Sequence, residues 1–463
     1  MLVLSAILSL ALSVGAEQKE LPGKPPNPDA QAHTPYGWKS LNNLRFVWWL
    51  PEKYDRNVPR NLTVVCHPAR ADYRWGFWNL KPESFRKDDV VVSVDGPTEQ
   101  RDDRLFSLDK KDAASFDAFL GEMRRTFAVD RVFLYGWGEG GVFALAFAGD
   151  HADSIAGTVA HASGDWVGFA PGGEAKKVAV ALLHGSADAE APFSVALERR
   201  EAYAKAGWPL VLLRRLDLTG HEINGARAEE ALAWCQGMTA TKPEEALACA
   251  LEILRPPPRD PQDSETKVGF SGAREILRRL EKKGPAPFAD VPEAVASEAQ
   301  KWASEIEALG AKHVAALRPQ LKSNKIPKLD PKVESGAWLG HLVPLRTDFR
   351  GVESVESYLK ELGYDAIAAA HEKAGRAISE MWSRERDPKK LFGAVVDGIG
   401  KAYFYDGFPA DLLEKMKEWR ADTRKYAIPA GAEKKYAELE TWQRWSEEGH
   451  RAYLAICQEW KGP

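Results

Sequence analysis

The sequence predicts an α/β protein, a mostly parallel sheet with flanking helices, followed by an all-helical C-terminal domain. Three observations predict it. Between residues 44 and 250, short apolar runs alternate with amphipathic stretches; a proline-rich stretch then interrupts the chain; beyond it only helical periodicity remains. Strands that alternate with helices need crossover connections, which pair the strands parallel and cover both faces of the sheet.

The strand candidates, in order, are 44–50, 62–66, 90–94, 131–135, 155–160, 178–183 and 210–216. The first carries Phe46-Val47-Trp48-Trp49-Leu50-Pro51 and is separated from the second by a polar turn, so the two read as an antiparallel hairpin opening the sheet. Helices are expected at 112–127, 141–149, 193–206 and 226–236, between the later strands. Arg255-Pro256-Pro257-Pro258-Arg259-Asp260-Pro261 cannot continue a helix, because proline lacks an N–H and fixes φ. It reads as a stiff spacer. Beyond it, Val295, Trp302, Ile306 and Leu309 recur at helical spacing, as do Ile367, His371, Ala374, Ile378 and Met381. Leu412, Met416 and Trp419, then Leu439, Trp442 and Trp445, mark two further helices. His371 lies on an apolar face and reads as a packed core histidine rather than a ligand. The expected division is a signal peptide at 1–16, a linker at 17–39, the α/β domain at 40–250, a proline-rich linker at 251–263 and a helical domain at 264–463.

Hydrophobic and charged fractions of 44% and 28% in 463 residues belong to a soluble globular chain of more than one domain. A net charge of −4 gives no electrostatic case for nucleic acid or an anionic membrane as partner. Residues 1–16 form an apolar run closed by Val14-Gly15-Ala16 and followed by polar Glu17-Gln18-Lys19-Glu20, as in a secretory signal peptide, although no Lys or Arg precedes the run. No later run approaches the roughly 18 apolar residues of a membrane span, so an extracytoplasmic location, secreted or periplasmic, without stable membrane insertion is expected. Four cysteines are too few for a disulfide scaffold. Cys66 reads as a buried small residue, while Cys235 and Cys249, on helical segments either side of a short break, could pair in an oxidising compartment. No Cys/His grouping has zinc spacing, and no metal or cofactor is expected. The sequon Asn61-Leu62-Thr63 falls in a strand, a poor place for a glycan.

The chemistry gathers at strand ends. Strand 131–135 runs into Gly136-Trp137-Gly138-Glu139-Gly140-Gly141 and then a helix. Leu183-His184-Gly185-Ser186-Ala187-Asp188 closes a later strand with an acid, and Thr219-Gly220-His221-Glu222 follows the last strand with a histidine. Over about residues 40–240 this order resembles the α/β-hydrolase superfamily, in its secreted-esterase, prolyl-oligopeptidase-like and dienelactone-hydrolase-like branches. There the nucleophile stands on a strained Gly-x-Ser-x-Gly turn and is followed by acid and then base. Trp49-Leu50-Pro51-Glu52-Lys53-Tyr54-Asp55 and Val94-Asp95-Gly96-Pro97 look like earlier strand ends of that family. The resemblance implies Asp188 as acid and His221 as base. It also implies a vacant nucleophile position at Gly138, which has no side chain to attack a carbonyl. The oxyanion region would involve the backbone N–H of Glu139 and the loop at His67, but Pro68 follows His67 and lacks the N–H such a loop would offer.

Three readings compete. Gly136-x-Gly138-x-x-Gly141 also fits a dinucleotide fingerprint, but the next strand ends in Ala160-His161-Ala162-Ser163 without the acid that reading needs. A degenerate esterase that binds a small-molecule, glycan or ester ligand is the second, with Trp75, Trp78, Trp137 and Trp166 as candidate cleft aromatics, together with Phe77. The third is an active hydrolase in which His221, oriented by Asp188, activates water in the space of the missing side chain, with Glu139 leaning in, or activates an unrecognised nucleophile.

Overall fold

The computed structural model describes residues 36–364 apart from 40–43, 81–84, 101–102, 165–176, 186–187, 189, 217–220, 256–269, 283–286, 323–341 and positions 343, 344 and 347. The signal-peptide run, Trp166, Ser186, His371, Cys457 and the helices expected beyond 364 therefore lie outside the described residues.

The strands, in chain order, are β1 Tyr36–Lys39, β2 Arg45–Trp49, β3 Arg60–Cys66, β4 Val90–Val94, β5 Thr98–Gln100, β6 Asp103–Leu105, β7 Val129–Trp137, β8 Gly157–His161, β9 Ala179–Gly185 and β10 Val211–Leu216. Eight of them form one sheet in the order β1-β2-β4-β3-β7-β8-β9-β10, and β5 and β6 form a small separate ribbon. β2 runs antiparallel to both β1 and β4; every other pairing in the large sheet is parallel. This is the α/β-hydrolase arrangement.

The expected hairpin of 44–50 with 62–66 does not form, because β4 inserts between the two strands. All five residues of β4 are buried. Only an interior strand can bury its apolar residues on both faces and pair both backbone edges, so the sheet places Val90–Val94 inside and crosses the chain over it.

Burial on both sides is why the strands read as continuous apolar runs. In β7, Val132 and Leu134 face one core while Phe133 and Tyr135 face the other; β9 divides Val180 and Leu182 from Ala181 and Leu183 in the same way. The first core is closed by helix α2 Lys110–Thr126 and helix α3 Glu139–Asp150. α2 begins at Asp109, whose carboxylate accepts the Asp112 N–H. The opposite core takes helix α5 Gly225–Thr239, capped by Asn224, and helix α6 Pro243–Leu254. Helix α4 Phe193–Lys205 lies against β9 and β10, and a short helix α1 Trp75–Asn79 follows β3.

Among the described residues, the helices beyond the proline-rich stretch pack into the sheet's own core. In α7 Phe270–Leu280, α8 Glu293–Lys322 and α9 Glu353–Glu361, the apolar residues Ile276, Ile306 and Tyr358 join the same buried cluster as Val65 and Phe133 of the sheet. The sequence boundary at the prolines is not a break in packing among the described residues.

The cysteines also differ from one expectation. Cys235 and Cys249 are both buried free thiols, and Cys235 Sγ lies 3.7 Å from the Ala179 carbonyl oxygen and 3.8 Å from that of Thr158. Residue 235 faces the sheet because its helix presents that side to β8 and β9, so it is turned away from a partner on α6. Asn61 and Thr63 of the sequon lie within β3.

Candidate active site

β7 carries the chain into the elbow. Gly138 has φ +58° and ψ −122°, a strained region that side chains rarely occupy, and caps the N-terminus of α3. Its N–H donates to the His161 carbonyl at the end of β8. The elbow packs directly on the end of β3: a β-carbon at Gly140 would lie within 2.5 Å of the His67 carbonyl oxygen. At Gly138 the situation is different, since a β-carbon would meet only Pro68 Cβ, at an ordinary 3.5 Å. Glycine is enforced by crowding at 140, but at 138 only by backbone angles. The dinucleotide reading is not needed to account for these glycines.

Asp188 and His221, 33 positions apart in sequence, meet across the ends of β9 and β10. His221 Nδ1 donates to Asp188 Oδ2 at 2.8 Å, and Asp188 Oδ1 accepts the N–H groups of Glu190 at 2.9 Å and Ala191 at 2.8 Å. Burial alone would raise the Asp188 carboxyl, but the bonds from His221 and the Ala191 amide outweigh it and hold it below the usual range. The bond to Asp188 raises the His221 pKa against the opposing effect of burial. With Nδ1 committed, Nε2 is the nitrogen left for the cleft, and Glu190 Oε2 stands 3.7 Å from it. Two further histidines lie beneath. His184 bonds the Ala191 carbonyl, and His161, 2.9 Å from the Tyr135 hydroxyl, is pushed down to about 3 by burial and so stays neutral.

The dyad opens on a cleft of about 560 Å³ with Gly138 in its floor. Phe106, Leu108, Val142 and Ala162 supply apolar walls, while His221, Glu139 and Glu190 supply charge. Glu139, in the first turn of α3, lines the cleft, and burial pushes its carboxyl up. Its backbone N–H is one of the first-turn amides that have no partner within the helix. Pro68 sits over the elbow with no N–H to add as a second donor.

His67 is not a free donor. Its Nε2 accepts the Gly96 N–H at 3.1 Å, so the proton sits on Nδ1, which donates to the Pro68 carbonyl at 2.8 Å. The ring braces the loop from below, against Phe106.

The aromatics take places different from those of cleft walls. Trp75 stacks on Trp137 at 5.8 Å between ring centroids, and Trp137 packs on His221 at 4.6 Å; neither is among the residues lining the cleft. They form a wall behind the histidine. Trp78 packs edge-on against Phe77 and is 63% exposed. Glu190 was missed from sequence, although its position two residues after the acid is a usable signal. Phe106 and Leu108 come from the β6–α2 connection, whose place over the elbow no motif announces.

No family model matches the chain, and no curated protein matches its sequence. Among solved structures it is similar to the Bacillus cereus carboxylesterase, at 17% identity and a TM-score of 0.35, over 42% of this chain and 94% of that one. A carboxylesterase from Mesorhizobium loti gives 15% identity and a TM-score of 0.36, over 43% of this chain and 98% of its own. A ferulic acid esterase from Anaeromyces mucronatus gives 13% and 0.34, over 46% and 96%. The fold rests on the strand order and pairing of the sheet, and what the cleft can do rests on its own geometry. By its strand order and mostly parallel pairing with flanking helices, the chain has an α/β-hydrolase fold.

Proposed function

We propose that this protein is a degenerate esterase, binding a small carbonyl-containing ligand in the cleft above Gly138 without forming an acyl-enzyme. One observation carries the reading: the elbow keeps its strained backbone at Gly138 and the Asp188–His221 pair stands behind it, yet nothing at the elbow can attack. Supporting it, Glu190 faces His221 Nε2, the nitrogen that would take a proton from a nucleophile. The apolar walls and the single Glu139 amide suit an uncharged ester or amide, and the two carboxylates disfavour an anion. Stacking of a sugar on Trp75 or Trp137 has less support, because those rings are spent on each other and on His221. Export from the cytoplasm belongs to the same proposal and rests on the N-terminal run; a mature protein beginning at Glu17 is the expected result of N-terminal sequencing.

The test is a fluorophosphonate probe and a short-chain nitrophenyl ester, applied to the wild type. Neither labelling nor turnover is expected, while non-hydrolysable ester analogues should perturb Trp137 fluorescence through its contact with His221. Turnover abolished by His221→Ala would overturn the reading. A second reading, water activation by His221 in the space of the missing side chain, has one observation in its favour: the Glu139 carboxyl shares the cleft and is raised by burial towards a useful pKa. It requires turnover that is lost in both His221→Ala and Glu139→Gln.

A further inference from the structure

A second cavity, of about 410 Å³, lies away from the elbow where the last described helices meet the α/β layers. Arg274 and Arg278 reach it from α7, and Arg346 and Arg350 from the segment before α9. Arg274 and Arg278 are one turn apart on α7, and Arg278 Nη1 lies 3.7 Å from where a β-carbon of Gly351, the neighbour of Arg350, would stand. The segment bearing the second pair is anchored to the sheet through Arg214 Nη1, 2.5 Å from Asp348 Oδ1.

Of the cavity's two acids, Glu356 is already committed, and Arg274 is held from outside the lining. Glu356 takes Arg346 and the Gly351 N–H, and Arg274 pairs with Glu281 at 3.2 Å and Glu307 at 3.5 Å. Arg278, Arg350 and the neighbouring Arg200 of α4 make no ion pair or side-chain hydrogen bond among the described residues. One carboxylate, Glu275, lies in the field of all three, and its Oε2 also accepts the Trp234 indole N–H at 3.0 Å. Burial first, and then the positive charges of Arg350 and Arg346, lower the Arg200 pKa, which reports like charges held close together. In the lining of the cavity Arg278 and Arg350 share the single carboxylate Glu275, since Glu356 is taken by Arg346, and one positive charge is left without a counter-charge.

We infer that this cavity binds a dianionic tetrahedral oxyanion, a phosphate carried free or as a monoester, between Arg278 and Arg350. Planar guanidinium groups match the oxygens of such an anion two at a time, which a chloride cannot exploit. The inference is independent of the chemistry at Gly138.

Calorimetric titration of the full chain with inorganic phosphate, at constant ionic strength made up with sodium chloride, tests it, with thermal melts in parallel. Saturable binding and a rise in Tm are expected with phosphate and not with chloride. Arg278→Ala and Arg350→Ala should each weaken Kd by at least about tenfold, the scale of one lost charge-assisted bond, and Arg350→Lys should recover only part of it. Phenyl phosphate in place of phosphate separates the sources: tighter binding identifies a monoester, equal or weaker binding the free ion. Superimposable phosphate and chloride melts in the wild type would overturn the site whatever the variants do. So would wild-type affinity in a folded Arg278→Ala/Arg350→Ala double variant.

Discussion

Placing a serine at the empty elbow asks the most of the structure. Gly138→Ser introduces a β-carbon 3.5 Å from Pro68 Cβ, which is ordinary contact, so the cost comes from backbone angles and not from crowding. A non-glycine residue at φ +58° should lose about 1–3 kcal/mol. At roughly 2–4 °C per kcal/mol for a large domain, the fall in Tm stays within about 12 °C, and Gly138→Ala should show the same fall. For activity, deleting the serine of a serine protease costs about 10⁶-fold, and a missing oxyanion donor about 10²–10³-fold. Supplying a nucleophile while Pro68 lacks an N–H therefore sets a ceiling of roughly 10³–10⁴-fold over wild type in ester hydrolysis. Its rate should rise with pH, with a midpoint above that of an ordinary histidine, because His221 must be neutral to accept the serine proton and its pKa is raised by Asp188. The assay is fluorophosphonate labelling together with nitrophenyl ester turnover, with Gly138→Ala as the control that carries the strain without the hydroxyl. A folded Gly138→Ser protein that neither labels nor turns over would refute the claim that Asp188 and His221 stand in working register with the elbow.

The remaining predictions follow from local packing and charge. Gly140→Ala should cost more than Gly138→Ala, at or above about 3 kcal/mol, because its β-carbon meets the backbone carbonyls ending β3, which cannot give way; equal melting points for the two would contradict this. The Asp188–His221 pair should stabilise the fold in a window. His221 has a raised folded pKa, so its contribution is complete below the ordinary value of about 6.5 and disappears as pH rises through the folded pKa. Asp188 has a lowered one, so its contribution is present above about 3.9 and disappears as pH falls through its folded pKa. The gap in Tm between wild type and Asp188→Asn should therefore narrow at both ends of a pH series; a gap that widens with alkali would reverse the sign. Arg86, buried between Asp89 at 3.1 Å, Glu252 at 2.6 Å and Gln236 at 2.5 Å, ties the approach to β4 to α5 and α6. Arg86→Met should cost about 3–5 kcal/mol in urea unfolding, because Asp89 stays buried with its charge unbalanced; a loss below about 1 kcal/mol would mean the network is not structural.

Some of this was legible without coordinates because the information is local. A strand that runs into closely spaced glycines and then a helix announces an elbow, since few other turns need glycine so often. Chain order placed the acid and the base after later strands, and parallel strands bring their carboxyl ends to one side of the sheet whatever their spacing. The position of β4 was not legible, because pairing order depends on which strand gains most from being interior. Glu139 follows the elbow in sequence, but only the fold brings it to the lining of the cleft.

The sequence by itself determined the sheet-and-helix alternation, the empty elbow at Gly138 and the candidacy of Asp188 and His221. Each of these is written in a few adjacent residues or in their order along the chain. Only the tertiary structure decided that Trp75 and Trp137 pack against the histidine, that Glu190 meets its free nitrogen, and that arginines from 274 to 350 share one cavity. Those arrangements join residues far apart in the chain, and they are set by how apolar faces find room in a common core. No spacing in the sequence encodes that competition for space.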